Sequence, residues 1–395
     1  MQNPANLYVD PDFASYNVKF GIHTGIKKKA LSQVTVGQSF AVDYRGKLEN
    51  PILYVAQCRN KSLAGDRGAE HGDLVINKLD ATGNLLGTMY LNHHHFKNSY
   101  ESSPGRFYEG INDNFRAFGF GHGSQIAIEY APDGAYLWTD CLSEVIDTVK
   151  TLSSKRYDVA GDALCRFIYK DGSYTPDSPD IHVFNPIDFF GTIGVNYTNL
   201  SISIDNEFHR MAIKYKDHLN NGKYYVAIFQ ISYVGNKPTF SLLNSFLYPV
   251  INWWEVNSNG NPIQVKSPLS NQGMSLFGNY LYTQHGTAYH NADLFSPTDI
   301  TENGGFYPDG TPIKLVGNHH ITQVDWSSGV MVDYNHSQAY RTLDYREPEG
   351  LFMIPTKDDS GNITALELCF GYASGPNGAR LWTLYSKKRT GIPLN

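Results

Sequence analysis

Gly121-His122-Gly123-Ser124-Gln125-Ile126-Ala127-Ile128-Glu129-Tyr130-Ala131-Pro132-Asp133-Gly134-Ala135-Tyr136-Leu137-Trp138-Thr139-Asp140 spells a β-hairpin. Ile126 and Ile128 alternate with small or polar neighbours, as a strand with one buried face requires. Pro132 presets φ, Asp133 bonds locally and Gly134 accepts a turn conformation, so the chain reverses there. Tyr136, Leu137 and Trp138 then restart an aromatic run of the kind that favours strands.

Outward from this hairpin the same grammar recurs, five times in all. Residues 38–44 lead to Ile52-Leu53-Tyr54-Val55-Ala56, and residues 200–206 to Met211-Ala212-Ile213-Lys214-Tyr215. Residues 272–279 lead to Tyr280-Leu281-Tyr282-Thr283, and residues 347–354 to Leu366-Glu367-Leu368-Cys369-Phe370. The starts, near positions 38, 122, 201, 272 and 347, lie roughly 70 to 85 residues apart, a fixed period that marks an array or propeller. A four-stranded blade needs fewer residues than that, so long loops join the blades. The reading is an all-β, five-bladed β-propeller with long inter-blade loops, over residues 31–395, preceded by an N-terminal arm, residues 1–30.

Within the blades, further strands are expected at 73–79, 85–91, 163–169, 223–229 and 380–385. Residues 92–120 read as a long loop, 171–199 as a crossing between blades, and 284–320 as the longest insertion. Residues 142–152 are the best helix candidate.

Composition agrees. Charged residues make up 18% of the chain and 27 tyrosines enrich its aromatics, a profile of many short strands. A formal net charge of −6 gives no clustered positive field for nucleic acid; Lys27-Lys28-Lys29 and Lys387-Lys388-Arg389 read as solvated edges. Cys58, Cys141, Cys165 and Cys369 lack metal-ligand spacing and read as small buried hydrophobes, with a Cys141–Cys165 disulfide as the alternative. No stretch is apolar enough to span a bilayer, no signal peptide stands at the N-terminus, and nothing calls for a cofactor.

Several segments carry a resemblance. Gln38-Ser39-Phe40, Gly121-His122-Gly123 running to Ile128-Glu129, Tyr136-Leu137-Trp138-Thr139 and Ala163-Leu164-Cys165-Arg166-Phe167 occur in one order with Gln272-Gly273 and Glu347-Pro348-Glu349-Gly350-Leu351. In that order the chain resembles the propeller of receptor-binding proteins from phages of Gram-positive bacteria and of prophage proteins labelled teichoic-acid biosynthesis protein C. Helveticin J-type bacteriocins are more distantly similar. The resemblance implies a propeller on a virion tail or outside the cell that recognises a cell-wall glycopolymer, often wall teichoic acid and its sugar substituents. Cys165 and the long loop around His93 depart from the pattern and touch loop-borne specificity more than the fold.

The residues supply a candidate site independently. The first strand of each propeller blade lines the central channel, so its first residues converge. By position these are Gln38, His122 with Gln125, Ser203, Gln272, and Glu347 with Glu349. They either form a polar funnel for a sugar or bond neighbouring blades. Trp253, Trp254, Tyr108 and Tyr289 lie in the loops, where aromatic faces could stack on sugar rings. His93 and His95 share a strand face and form the candidate metal pair, wanting a third ligand.

Catalysis is the rival class. Glu129, Glu347 and Glu349 are the acid and base candidates for a propeller glycosidase or teichoic-acid hydrolase. No nucleophile elbow and no metalloprotease motif is present, so binding is the preferred reading. A bacteriocin that targets cell walls through the same propeller is the alternative. The sequence pattern leaves the oligomeric state open, a homo-oligomer included.

Overall fold

The structure is a computed structural model of the 395-residue chain. It describes residues 26–29, 31–33, 35–45, 51–59, 74–92, 94–96, 116–118, 120, 123, 125–141, 163–175, 178–191, 197–250, 254–256, 262–264, 271–286, 319–337, 347–374 and 381–390.

Nearly every element is a strand. In chain order, β1 (Ile26–Lys29) precedes blade one, β2 (Gly37–Asp43), β3 (Ile52–Cys58), β4 (Leu74–Leu79) and β5 (Leu85–Leu91). A small hairpin follows, β6 (His94–Phe96) with β7 (Arg116–Phe118). Blade two is β8 (Ile126–Ala131), β9 (Gly134–Cys141) and β10 (Ala163–Phe167). The chain then makes β11 (Gly172–Tyr174), and β12 (Ile181–Phe184) completes the blade. After α1 (Pro186–Phe190) comes blade three, β13 (Tyr197–Asp205), β14 (Arg210–Asp217), β15 (Lys223–Val234) and β16 (Lys237–Leu247). A second small hairpin, β17 (Trp254–Val256) with β18 (Pro262–Gln264), leads to blade four. That blade is β19 (Asn271–Phe277), β20 (Tyr280–His285), β21 (His319–Asp325) and β22 (Val330–Ser337). Blade five is β23 (Glu347–Lys357), β24 (Ile363–Ser374) and β25 (Leu381–Thr390), with β1 as its outer strand.

The five sheets form a five-bladed propeller. The innermost strands touch in the order β2, β8, β13, β19, β23 and back to β2, which closes the ring. Closure is fastened at the rim, where β1 pairs antiparallel with β25, Lys29 opposite Trp382. A strand from the far end of the chain thus completes the last blade, and its hydrogen bonds hold the ring shut. Lys27-Lys28-Lys29 accordingly lies in an outermost strand.

Each seam between blades is filled by alternating apolar residues of the two facing sheets. Phe40, Phe120, Ile126, Phe352 and Trp382 join blades one, two and five; Trp138, Phe184, Ile202 and Phe229 join two and three. Val226, Met274 and Leu281 join three and four, and Phe277, Tyr282, Leu351 and Phe370 join four and five. The short helix α1 wedges into the second of these seams, where Phe189 packs on Phe184 and Phe240. Pro186 opens the helix, Asp188 Oδ2 accepts from Asn185 N at 2.7 Å, and Gly191 closes it at φ +68°.

Three differences from the sequence expectations have local causes. Residues 171–199 hold β11, β12 and α1; Pro179, Asp180 and Pro186 chop the segment into pieces too short to show a period. β11 also leaves its own blade and runs parallel to β5, Ser173 opposite Tyr90. The disulfide alternative is corrected: none of the four cysteines forms a disulfide, and Cys165 faces Thr139 across the ladder while Cys141 faces Ala163. The helix candidate at 142–152 lies outside the described residues.

The end of the ring where inner strands finish, here the lower face, is bonded from blade to blade. Tyr44 N donates to Tyr130 Oη at 3.0 Å, and Asn206 bridges to blade two by accepting from Tyr130 N and donating to Ile128 O. Lys357 of blade five reaches Glu207 of blade three at 2.5 Å. Asp205 accepts from Gly278 N, Glu207 N and Phe208 N at 2.7 to 3.3 Å. Every blade therefore contributes a residue to the bonds at this end.

Burial pushes the Asp205 carboxyl up to about 6, against the pull of those amides and of Arg210. An unfolded aspartate titrates near ~3.9. The folded state therefore keeps a proton that the unfolded chain has already released. The stability this group contributes is complete below pH ~4 and is lost as pH rises through about 6. Urea midpoints measured from pH 4 to 7 should show this component, and Asp205→Asn should flatten it. Identical slopes for the two proteins would contradict the assignment.

Candidate functional face

Strand direction sorts the connections between the two ends. Each inner strand starts at the upper face and ends at the lower one, so alternate connections fall on opposite faces. On the lower side most are tight, at 80–84, 132–133, 206–209, 235–236, 278–279, 326–329 and 358–362, while 44–51 and 168–180 are longer. Two of these repeat one device: Asp80 Oδ1 accepts from Thr82 N and Asn84 N, and Asp358 Oδ1 from Ser360 N and Asn362 N. Gly83 and Gly361 then take φ +83° and +84°.

On the upper side most connections are long, 218–222 and 375–380 being the short ones. Residues 59–73, 92–125, 142–162, 248–270, 286–318 and 338–346 all leave from and return to that end. Trp253, Tyr108, Tyr289 and His93 are carried by these segments and lie outside the described residues, as does His122. Trp254 opens β17 and His95 sits in β6 opposite Ala117. The topology thus attaches every candidate aromatic, and the candidate metal pair, to one end of the ring.

The hub candidates stand at the same end. Gln38 is the second residue of β2 and Gln272 the second of β19, both half-buried. Glu347 opens β23, half-buried, and Glu349 is buried two residues on. Their strand is irregular: the ladder slips between Pro348 and Leu351, where Gly350 takes φ +90°. This bulge gives the two glutamates different surroundings.

Gln125 is spent within the protein. Its Oε1 accepts from Met274 N at 3.2 Å, which ties blade two to blade four across the hub. Ser203 Oγ accepts from Leu276 N at 2.9 Å, tying blade three to four, and Ser39 Oγ donates to Gly123 O at 2.6 Å. These polar groups bond the backbone of other blades or of the segments that lead into them.

Glu129 is also spent, and it stands apart from the other carboxylates. It pairs with Tyr136 near the lower turn, whereas Glu347 and Glu349 lie at the upper end. Its carboxylate is 1% exposed and accepts from Arg166 Nε (2.7 Å) and Nη2 (3.2 Å), Trp138 Nε1 (2.6 Å) and Tyr233 Oη (2.7 Å). A general acid needs an approach for its substrate, and this group has none.

Sequence reading missed one polar tract. Below the upper face, between blades three and four, Lys214 is buried against the rings of Tyr224 and Tyr248. With its amide oxygen turned toward the lysine, Asn271 accepts from Nζ at 2.9 Å. Burial lowers the Lys214 ammonium to about 8, while Asp140 pulls it the other way. Tyr248 also meets the ring of His285 at 5.5 Å. In sequence, Lys214 sits inside an apolar strand pattern, and nothing there distinguishes a buried cation from an outward-facing one.

No protein-family profile matches the chain, and no curated protein matches it in sequence. Solved structures do. The tail fiber of a Staphylococcus aureus phage is similar at a TM-score of 0.50 and 13% identity, over 92% of this chain and 52% of the fiber. The fold is shared with a phage tail fiber. The chain spans about half the length of the fiber it matches. An exo-β-1,3-galactanase from Clostridium thermocellum scores 0.37 at 10% identity, over 90% of this chain and 62% of the enzyme. An α-L-arabinanase from Cellvibrio cellulosa scores 0.33 at 11% identity, over 89% and 91%. Scores at that level mark a loose likeness only. No described helix is long and apolar enough to cross a membrane.

Proposed function

We propose that the upper face binds a Gram-positive cell-wall glycopolymer, wall teichoic acid or its sugar substituents, and that the protein acts as the receptor-binding part of a phage tail. One observation carries this reading: residues of all five blades bond to one another at the lower end, while the five longest connections and every candidate aromatic attach to the upper end. A polymer therefore has one face to meet, with Gln38, Gln272 and Glu347 at the hub and Trp253, Trp254, Tyr108 and Tyr289 in the segments around it. Planar polar side chains suit sugar hydroxyls and aromatic faces suit their C–H surfaces. The shared tail-fiber fold supports the setting, on a virion tail or outside the cell.

The test is binding of the purified chain to walls from a Gram-positive host, intact or stripped of teichoic acid. Binding should vanish on stripping, and no phosphate-sugar fragments should be released. Retained binding removes this ligand class, and released fragments convert the binder into a hydrolase. Killing of cells by the protein alone would favour the bacteriocin reading. Trp254→Ala or Tyr289→Ala should each cost about 2 kcal/mol, roughly thirtyfold in affinity, if the ring stacks on sugar.

A further inference from the structure

We propose that a basic row on blade three, Lys214, Lys216 and His218, binds successive phosphodiesters of a thin polyanionic chain at the upper end of the seam with blade four. This rests on the wall-polymer reading and gives the polymer's phosphates a place beside the hub. Lys214 and Lys216 alternate along β14, so they share one face of the sheet about 6.8 Å apart. That face looks toward blade four, since Lys214 meets Asn271 there. His218, one residue past the strand, has Nε2 2.8 Å from Thr198 Oγ1, and Thr198 is the residue opposite Lys216. The row thus climbs from Lys214, 8% exposed, through half-buried Lys216 to exposed His218.

The described residues leave this charge uncompensated. An ammonium carries three N–H donors, and the Asn271 oxygen takes one of those of Lys214. The rings of Tyr224 and Tyr248, 5.4 and 5.5 Å from Nζ, add cation–π contact but no full charge. Among the described residues no carboxylate lies within ion-pair distance of Lys214 or Lys216. Asp140 acts on Lys214 from further off, and its Oδ1 accepts from Gly123 N at 3.1 Å. Asp217 falls on the other face of β14, where it caps a turn by accepting from Leu219 N at 2.8 Å. Burial, then the charge of Lys216, holds the His218 imidazole below its usual range, with Asp217 opposing. An anion from outside supplies what a buried, unpaired cation lacks.

The wall of the row is built for contact. Tyr224 stands opposite Lys216 and is 38% exposed. Asn199 Nδ2 donates to its Oη at 2.7 Å, from a bulge of β13 in which Asn199 takes φ +55°. Bulges re-aim side chains in this way beside binding sites. Ammonium groups suit phosphate oxygens as point charges. A row one strand wide fits a single thin chain, and the net charge of −6 opposes the broad contact that a nucleic acid needs.

The test uses the full chain and calorimetric titration with three probes: a glycerol-phosphate oligomer without sugar substituents, glycerol, and a single-stranded oligonucleotide. The oligomer should bind, less tightly as salt is added, and the other two should not. Lys214→Met and Lys216→Ala should each weaken oligomer binding about tenfold. Lys223→Ala should leave it unchanged, because Lys223 pairs with Asp217 and lies on the opposite face. If Lys214→Met does not fold, Lys216→Ala decides. No binding by the parent, binding unchanged in Lys216→Ala, equal loss in Lys223→Ala, or equal binding of the oligonucleotide overturns the proposal. Wall binding that vanishes on stripping while the oligomer fails to bind overturns this inference alone. Oligomer binding that depends on Lys216, with wall binding retained after stripping, upholds the row and overturns the wall-polymer reading.

Discussion

Replacing Arg166 by Ala should lower the unfolding free energy by about 3–5 kcal/mol, because it strands the Glu129 carboxylate in the core. The two groups are 4% and 1% exposed as side chains, and they form a two-pronged bridge between β8 and β10. The guanidinium also lies 3.3 Å from the centre of the Tyr136 ring. Glu129→Leu should be worse than a simple loss of the pair. It leaves the cation unpaired and removes the acceptor of Trp138 Nε1 and Tyr233 Oη, each costing about 1–3 kcal/mol when buried. Tyr233 belongs to blade three, so the same change loosens the seam between two blades. The exposed pair Lys170–Asp180 provides the contrast, and Lys170→Ala should leave stability close to that of the parent, since solvent screens the pair. Urea denaturation of the three variants measures all of this. An Arg166→Ala protein as stable as the parent would mean that Glu129 has water or another cation at hand. A Glu129→Gln protein of unchanged stability that had lost a cleaving activity would restore the carboxylate to the catalytic reading.

Glu129 also shows how far a sequence can be read. The hairpin that contains it is legible because its apolar residues alternate and its turn residues have one conformational reason to be there. The same holds for the other inner strands, observed to begin at Gly37, Ile126, Tyr197, Asn271 and Glu347. Outer strands are harder. β16 reads Thr239-Phe240-Ser241-Leu242-Leu243, with the last two exposed at the rim, so no alternation marks it. β1 is four residues long and gains its place only from the register with β25. Polar residues in inner strands are harder still. Gln125 and Gln38 look alike in sequence, yet one bonds an inner strand of another blade while the other is half-buried at the upper end. Pattern shows that a polar group sits at the hub, and only the neighbouring blade decides whether its hydrogen bonds are already made.

The other large effect concerns Gly371, and it follows from space alone. Gly371 lies in β24 beside the bulge of β23, where the ladder skips from Pro348–Tyr372 to Leu351–Phe370. A Cβ there would sit within the van der Waals envelope of the Glu349 carbonyl oxygen, with the Glu349 carbonyl carbon and Phe40 Cδ1 each at 3.1 Å. The obstacle is mainly backbone, so no rotamer change relieves it. The Phe40 ring is held by Trp382 at 5.6 Å and Phe352 at 6.4 Å. Gly371→Ala must therefore part β23 from β24 or push on the seam between blades five and one, where the ring closes. Overpacking of this kind usually costs about 1–3 kcal/mol, and a clash with backbone belongs at or above the upper end of that range. Gly134→Ala is the matched control, since a Cβ at Gly134 meets nothing within 4 Å. That change should stay within about 0.5 kcal/mol of the parent. If the strain runs through closure, pairing of β1 with β25 should weaken as well, and amide exchange at Lys29 and Trp382 should quicken in Gly371→Ala while blade three keeps its protection. Equal stability for the two alanine variants would mean that the bulge relaxes freely, and the close approach of β23 to β24 would then have no part in holding the ring.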